Sequence, residues 1–84
     1  MQTNPNMMSN ALDAIDQQIT SGTFPETKTT FSRLTQTGYA AKEARHLMAQ
    51  VFVHELFMIK NHGQTFDRNR YGAMLQQLPR LPMV

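Results

Sequence analysis

Apolar residues recur at spacings of three and four in four segments of the chain, a spacing typical of α-helices with one buried side. Turn-forming residues separate these segments at Ser21-Gly22, Gly38 and His62-Gly63. The four predicted helices cover about residues 5–20, 24–37, 40–61 and 68–78. The pattern therefore predicts an all-α fold, a compact bundle of four helices in which short connections place neighbouring helices side by side.

The third predicted helix is the longest, and it is apolar on two sides. At about 100° per residue, the first side combines Ala44, Met48, Val51, Phe52 and Ile59. The second side combines Val53, Leu56 and Phe57, which are the candidate interface residues. We therefore expect this helix at the centre of the bundle. Its second side is either covered by the other helices or paired with a second copy of the chain.

Capping residues define the starts of two helices. Thr23 precedes the second helix, and Glu26 lies three positions later, which is the spacing of a reciprocal capping box. Asp67 is the predicted N-cap of the fourth helix, and Phe66 before it is placed to pack onto Tyr71.

The length of 84 residues allows one modest core, so we expect a single domain over residues 1–84 with flexible ends at 1–4 and 80–84. Self-association reinforces such small domains, which makes a homodimer plausible. The chain has seven methionines, and most of those inside the helical segments fit the apolar stripes. We expect them mainly to fill the core.

The composition excludes several classes of site. There is no cysteine, so disulfides, thiolate zinc ligands and cysteine nucleophiles are absent. No serine lies in a recognisable order with histidine and aspartate, and there is no glycine-rich phosphate loop. We predict no cofactor and favour a non-enzymatic role. Neither a secretory signal nor a bilayer-spanning apolar run is found, which predicts a cytoplasmic protein with no membrane partner.

Charge is unevenly distributed along the chain. The net charge is +2, but the first 26 residues carry −3 and the remainder carries +5. Such asymmetry occurs in nucleic-acid-binding proteins, and the second and third helices fit the outline of a helix-turn-helix, in which Lys42, Arg45 and Gln50 would face the major groove. The basic residues are spread out, however, and the third helix is too apolar to expose a full recognition side. We favour packing of an acidic first helix beside a basic remainder.

A polar seam runs along the third helix. Glu43, His46, Gln50 and His54 point in similar directions, and Glu-x-x-His is the half-site spacing of helical carboxylate-bridged metal proteins. Glu43, His46 and His54 are therefore candidate metal ligands. The alternative is that Glu43 interacts with the helix dipole and the histidines lie at the surface. This alternative is favoured, because only a dimer would supply a second motif.

Glu55 lies on the same side of the third helix as Met48, Val51 and Ile59. A buried carboxylate is costly unless it is paired. The candidate partners are Arg33, Arg68 and Arg70. We predict a buried ion pair of Glu55 with Arg70, and we favour this structural role over a catalytic acid.

Several runs of residues also point to a family. These runs are 11–19 (ALDAIDQQI), 25–27 (PET), 31–34 (FSRL), 38–46 (GYAAKEARH) and 63–67 (GQTFD), followed by Tyr71 and Leu75. Over about residues 8–79 the chain resembles a family of small bacterial helical domains of unknown function. The resemblance implies a bacterial helical domain and carries no activity, ligand or catalytic residue. Some members look longer at the N-terminus, so any role of that additional region does not transfer.

Three hypotheses for function follow from these patterns. The first is a protein-interaction or regulatory module that binds a protein partner or a second copy of itself through the second apolar side of the third helix. The second is a nucleic-acid-binding module, and the third is a metal-binding helical protein. We favour the first.

Overall fold

The computed structural model describes residues 5–63 and 65–82, and this part of the chain is all-helical without a strand. The helices are α1 (Pro5–Ser21), α2 (Pro25–Gln36), α3 (Ala41–His62) and α4 (Arg68–Gln77). α3 is the longest and contacts each of the other three. The predicted four-helix bundle around a central third helix is therefore confirmed.

The two predicted flexible ends are only partly described. Residues 1–4, 83 and 84 lie outside the described residues. Residues 78–82 follow α4 as a turn and a non-helical segment. Within the described residues, no helix combines the length and apolar character needed to cross a bilayer.

The core is assembled from the inward sides of the four helices. Its fully buried members are Ala11, Ile15, Leu34, Ala44, Met48, Ala49, Val51, Tyr71, Leu75 and Leu78. On α3 the buried positions recur three and four residues apart, as expected for a helix that buries one stripe. Met48 is fully buried, and Met8 and Met74 pack against the core, in agreement with the expected role of the methionines.

The two predicted helix starts have different outcomes. Asp67 is the N-cap of α4, where its Oδ1 accepts the Arg70 N–H at 3.0 Å, and the rings of Phe66 and Tyr71 lie 5.5 Å apart. The predicted capping box of Thr23 and Glu26 is wrong. Phe24 is the N-cap of α2 and its side chain makes no capping bond.

The reason for this difference is local. Pro25 occupies the first turn of α2 and lacks an N–H, so one fewer donor needs a cap. The Thr23 hydroxyl instead pairs with the Ser21 hydroxyl at 2.8 Å. The Glu26 carboxylate turns toward α4, where its Oε2 lies 3.5 Å from Arg68 Nε.

A buried polar cluster joins three helices. Gln18 of α1 accepts two hydrogen bonds at its Oε1, from the Thr27 hydroxyl of α2 at 2.8 Å and from the Tyr71 hydroxyl of α4 at 2.9 Å. Burial raises the pKa of Tyr71 to about 12, against the lowering effect of its hydrogen bonds. The phenol therefore stays protonated and keeps donating to Gln18 across the ordinary pH range.

Candidate interaction surface on the third helix

Glu55 of α3 is completely buried and bonded on both carboxylate oxygens. Arg70 Nε donates to Oε1 at 2.9 Å, and Arg70 Nη2 donates to Oε2 at 2.6 Å. The backbone N–H of Asp67 donates to the same Oε2 at 3.0 Å. The structure thus places Glu55 against Arg70, the partner that the sequence favours, and against the N-cap of α4.

The electrostatics of this pair keep the carboxylate ionised. Burial raises the pKa of Glu55, but the Arg70 side chain and the Asp67 N–H outweigh burial and leave that pKa below its ordinary value. The hydrogen bond to Glu55 in turn raises the pKa of Arg70. With both oxygens bonded inside the protein, Glu55 joins α3 to the start of α4 and is not poised for proton transfer.

The other two candidate partners of Glu55 have roles elsewhere. Arg33 of α2 donates to the carbonyls of Leu78 at 2.7 Å, Leu75 at 3.0 Å and Gln76 at 3.3 Å. It therefore satisfies the carbonyls at the end of α4, where a cation is also favoured by the helix dipole. Arg68 pairs with Glu26 and lies over the Phe24 ring, 5.3 Å from its centroid.

The candidate metal ligands are not gathered into a site. Glu43 Oε1 accepts the backbone N–H of Ala40 at 3.0 Å and so caps its own helix. His46 is exposed and His54 is half-buried. Among residues 5–63 and 65–82, no three histidine, aspartate or glutamate side chains lie close enough to hold a metal ion. The alternative interpretation, in which Glu43 is a first-turn acid that stabilises its own helix, agrees with this geometry.

The three candidate nucleic-acid contacts have different environments. Arg45 is held in a bidentate pair with Asp16 of α1, with Nε to Oδ1 at 2.6 Å and Nη2 to Oδ2 at 2.7 Å. Lys42 is exposed and Gln50 is half-buried. The acidic first helix thus packs against a basic residue of α3, as the charge asymmetry suggested. Arg45, one of the three candidate nucleic-acid contacts, is therefore already paired with a carboxylate.

The second apolar side of α3 is only partly covered. Val53 packs against the edge of the core, and Leu56 is half-buried. Phe57 is 37% exposed, which places it among the most exposed large apolar side chains of the described residues. Glu55 is the last fully buried residue of the helix. The final two turns of α3 therefore carry apolar side chains beyond the limit of the core, and we call Val53, Leu56 and Phe57 the outer α3 surface.

Polar residues border the outer α3 surface. Lys60 and His62 follow it in the last turn of the helix, and His54 lies within it in sequence. The His62 ring meets the Phe57 ring edge-on, with 6.1 Å between centroids. The Asn61 amide donates to the Phe57 carbonyl at 3.1 Å, and Gly63 ends the helix in the left-handed conformation with φ of 63°. These contacts hold the end of α3 in helical form although it lies outside the core.

A second surface feature lies on α2. A shallow, open groove of about 560 Å³ is lined by Gly22, Pro25, Lys28, Thr29, Ser32, Arg33 and Gln36. Among these lining residues Arg33 makes hydrogen bonds to another helix, and these bonds serve α4. The groove is largely open to solvent, and we assign no ligand site to it.

Sequence reasoning missed several interhelical contacts. The pair of Asp16 with Arg45, the cap that Arg33 gives to α4 and the cluster around Gln18 join residues far apart in the chain. One signal was present for the last of these, since Gln18 lies on the inward side of α1, three residues after Ile15. A buried amide needs partners, but the sequence does not indicate which hydroxyls supply them.

No protein-family model, curated protein or solved structure matches this chain.

Proposed function

We propose that this chain is a small non-enzymatic protein-interaction module and that the outer α3 surface is its contact site. The observation that carries the proposal is the position of Phe57, a large aromatic side chain that is 37% exposed and lies two residues after the last fully buried residue of α3. Apolar side chains left beside one another at a surface mark interaction sites in small soluble domains.

The energetics favour a protein partner at this surface. Burying a whole phenylalanine side chain contributes about 1.5–3 kcal/mol, so burying the remaining 37% of Phe57 contributes roughly 0.5–1 kcal/mol. A few residues, with aromatic ones prominent among them, carry most of the binding energy of protein interfaces. The surface is also presented on a helix that is anchored by the Glu55–Arg70 pair at its last buried position. A pre-ordered surface loses little conformational entropy on binding.

The alternative functions gain no comparable support. Arg45 is committed to Asp16, and Glu43 caps its own helix. Membership of the small bacterial helical family is part of the proposal and rests on the residue runs described above. A cytoplasmic location is a further part of it and rests on a fold that needs no disulfide.

Site-specific photo-crosslinking in the source cells tests the proposal. A benzophenone amino acid replaces Phe57 in one variant and Phe66 in the control, because both are phenylalanines with 37% exposure. Asp67, next to Phe66, bonds to Glu55, which lies about 200° around α3 from Phe57. The two probes therefore sample different surfaces.

We expect a discrete crosslinked protein product from position 57 and none of the same mass from position 66. The mass of the product distinguishes a second copy of this chain from another protein. Equal labelling from both positions, or no product from position 57, would contradict the proposal.

A further inference from the structure

The segment that carries the end of the outer α3 surface, residues 56–66, has a positive charge and no negative one. Between Glu55 and Asp67 the chain has no carboxylate, whereas Lys60 is an exposed cation and two histidines, His54 and His62, lie beside the apolar residues. Lys60 is three residues from Phe57 and seven from Val53, so it projects from the same side of the helix. The outer α3 surface is therefore an apolar surface with one exposed cation, Lys60, at its border.

The two flanking carboxylates both have partners within the chain. Glu55 is buried and paired with Arg70. Asp67 is exposed, and its Oδ1 accepts the Arg70 backbone N–H as the cap of α4. Lys60, by contrast, has no ion pair within the described residues.

We infer that the occupant of the outer α3 surface is an amphipathic helix of a different protein that carries carboxylates beside its apolar side; this inference rests on the proposed function. Such a helix packs along α3 with its apolar residues against Val53 and Phe57. Its carboxylates then lie within reach of Lys60. Attraction between the opposite charges fixes orientation and speeds association.

A second copy of this chain fits the same surface less well. In a symmetric dimer each outer α3 surface packs against its own duplicate, so Lys60 finds no carboxylate among residues 56–66 of the second copy. A lipid surface also fits less well. The four consecutive apolar residues Leu56 to Ile59 point in four directions around the helix, and a helix lying in a membrane interface needs them on one side.

Selection from a random peptide library tests the inference. Displayed 20-residue peptides are selected for binding to the purified chain and sequenced, and individual binders are measured by fluorescence anisotropy. The variants are Phe57→Ser and Lys60→Glu, with Lys42→Glu as the matched charge reversal on the same helix. Circular dichroism shows whether each variant keeps its helical content, which is expected because all three side chains are at least one-third exposed.

We expect binders enriched in aspartate and glutamate next to apolar residues at helical spacing. Their affinity should fall about tenfold or more in Phe57→Ser and several-fold in Lys60→Glu, and stay unchanged in Lys42→Glu. Binders with no acidic enrichment, or binders whose affinity is unchanged in Lys60→Glu, would overturn the inference. If those binders still depended on Phe57, the proposed function would be retained.

Two further measurements separate the other occupants. Sedimentation equilibrium that shows a dimer abolished by Phe57→Ser would replace the acidic helix by a second copy. Phe57-dependent binding to phosphatidylglycerol vesicles, with no peptide binder, would replace it by a lipid surface. An absence of any binder or self-association that depends on Phe57 would remove the inference and the proposed function together.

Discussion

Replacing Glu55 by glutamine keeps the shape of the side chain and removes its charge. Three hydrogen bonds reach the carboxylate, two from Arg70 and one from Asp67 N–H. Glutamine offers one carbonyl oxygen and one NH2 group, so at least one of these donors then faces another donor. The Arg70 charge also loses its ion pair with Glu55.

The cost can be bracketed from these contacts. Removing one member of a buried ion pair typically costs about 3–5 kcal/mol, and losing one hydrogen bond to a charged group costs about 1.5–3 kcal/mol. The side chain of Arg70 is 27% exposed, so water partly compensates for the lost ion pair with Glu55. We therefore expect the free energy of unfolding to fall by about 2–3 kcal/mol. In a domain of this size that corresponds to a melting temperature lower by roughly 10–20 °C.

Urea unfolding at pH 7, followed by circular dichroism, measures the loss for Glu55→Gln. The matched control is Asp13→Asn, which neutralises an exposed acid on α1 and should change stability by less than about 0.5 kcal/mol. Equal stability of Glu55→Gln and the native chain would refute the reasoning, because it would mean that the carboxylate is solvated.

The same pair predicts an acid dependence. The pKa of Glu55 in the folded chain is lowered, so the carboxylate contributes stability above its unfolded pKa, and this contribution is lost as pH falls through the folded value. The stability difference between the native chain and Glu55→Gln should therefore shrink as pH drops below about 4.5. A difference that is constant down to pH 2 would contradict the assignment of Glu55 as an ionised, paired carboxylate.

Three other changes test the packing of α4. The pKa of Tyr71 is raised to about 12 in the folded chain, so the protonated phenol contributes stability that is fully present below pH 10. About 2–3 kcal/mol of this stability is lost as pH rises toward 12. Tyr71→Phe should flatten the loss in alkaline urea titrations, and an identical alkaline slope would speak against burial of the hydroxyl. Gly72→Ala should raise stability by about 0.5–1 kcal/mol through the higher helix propensity of alanine. The added Cβ fits, because it would meet Glu26 Cγ at an ordinary contact distance of 3.4 Å. A lowered urea midpoint would show that the helices approach more closely. Arg33→Met removes the donors to the last carbonyls of α4. It should lower the free energy of unfolding by about 1–2 kcal/mol and speed amide exchange at the end of α4. Unchanged exchange there would contradict the capping role of Arg33.

The fold was largely predictable because each helix has a local signal. The apolar spacing of α3, the Asp67 cap with its Phe66–Tyr71 contact and the glycine after His62 all act within a few residues, and their positions agree with the helices found. The capping of α2 was predicted wrongly for a local reason as well. The pattern of Thr23 and Glu26 matches a capping box, but Pro25 leaves less need for one and Arg68 attracts the Glu26 carboxylate.

Contacts between helices were less predictable. The burial of Glu55 could be inferred from its position on an apolar stripe, but three arginines were candidate partners. Arg70 is selected because the turn after α3 brings the start of α4 back beside Glu55. The pairing of Arg45 with Asp16 depends on how α1 crosses α3, and no spacing within either helix indicates it.

α3 is one helix from Ala41 to His62, and its last two turns follow the last fully buried residue, Glu55. Nuclear magnetic resonance of the labelled chain tests it most directly, through 13Cα shifts and amide exchange rates along α3. We predict helical 13Cα shifts through His62, strong protection of the amides from exchange between Ala44 and Glu55, and markedly weaker protection from Leu56 onward. Helical shifts that end before Phe57, or protection after Glu55 as strong as that of the core, would contradict it.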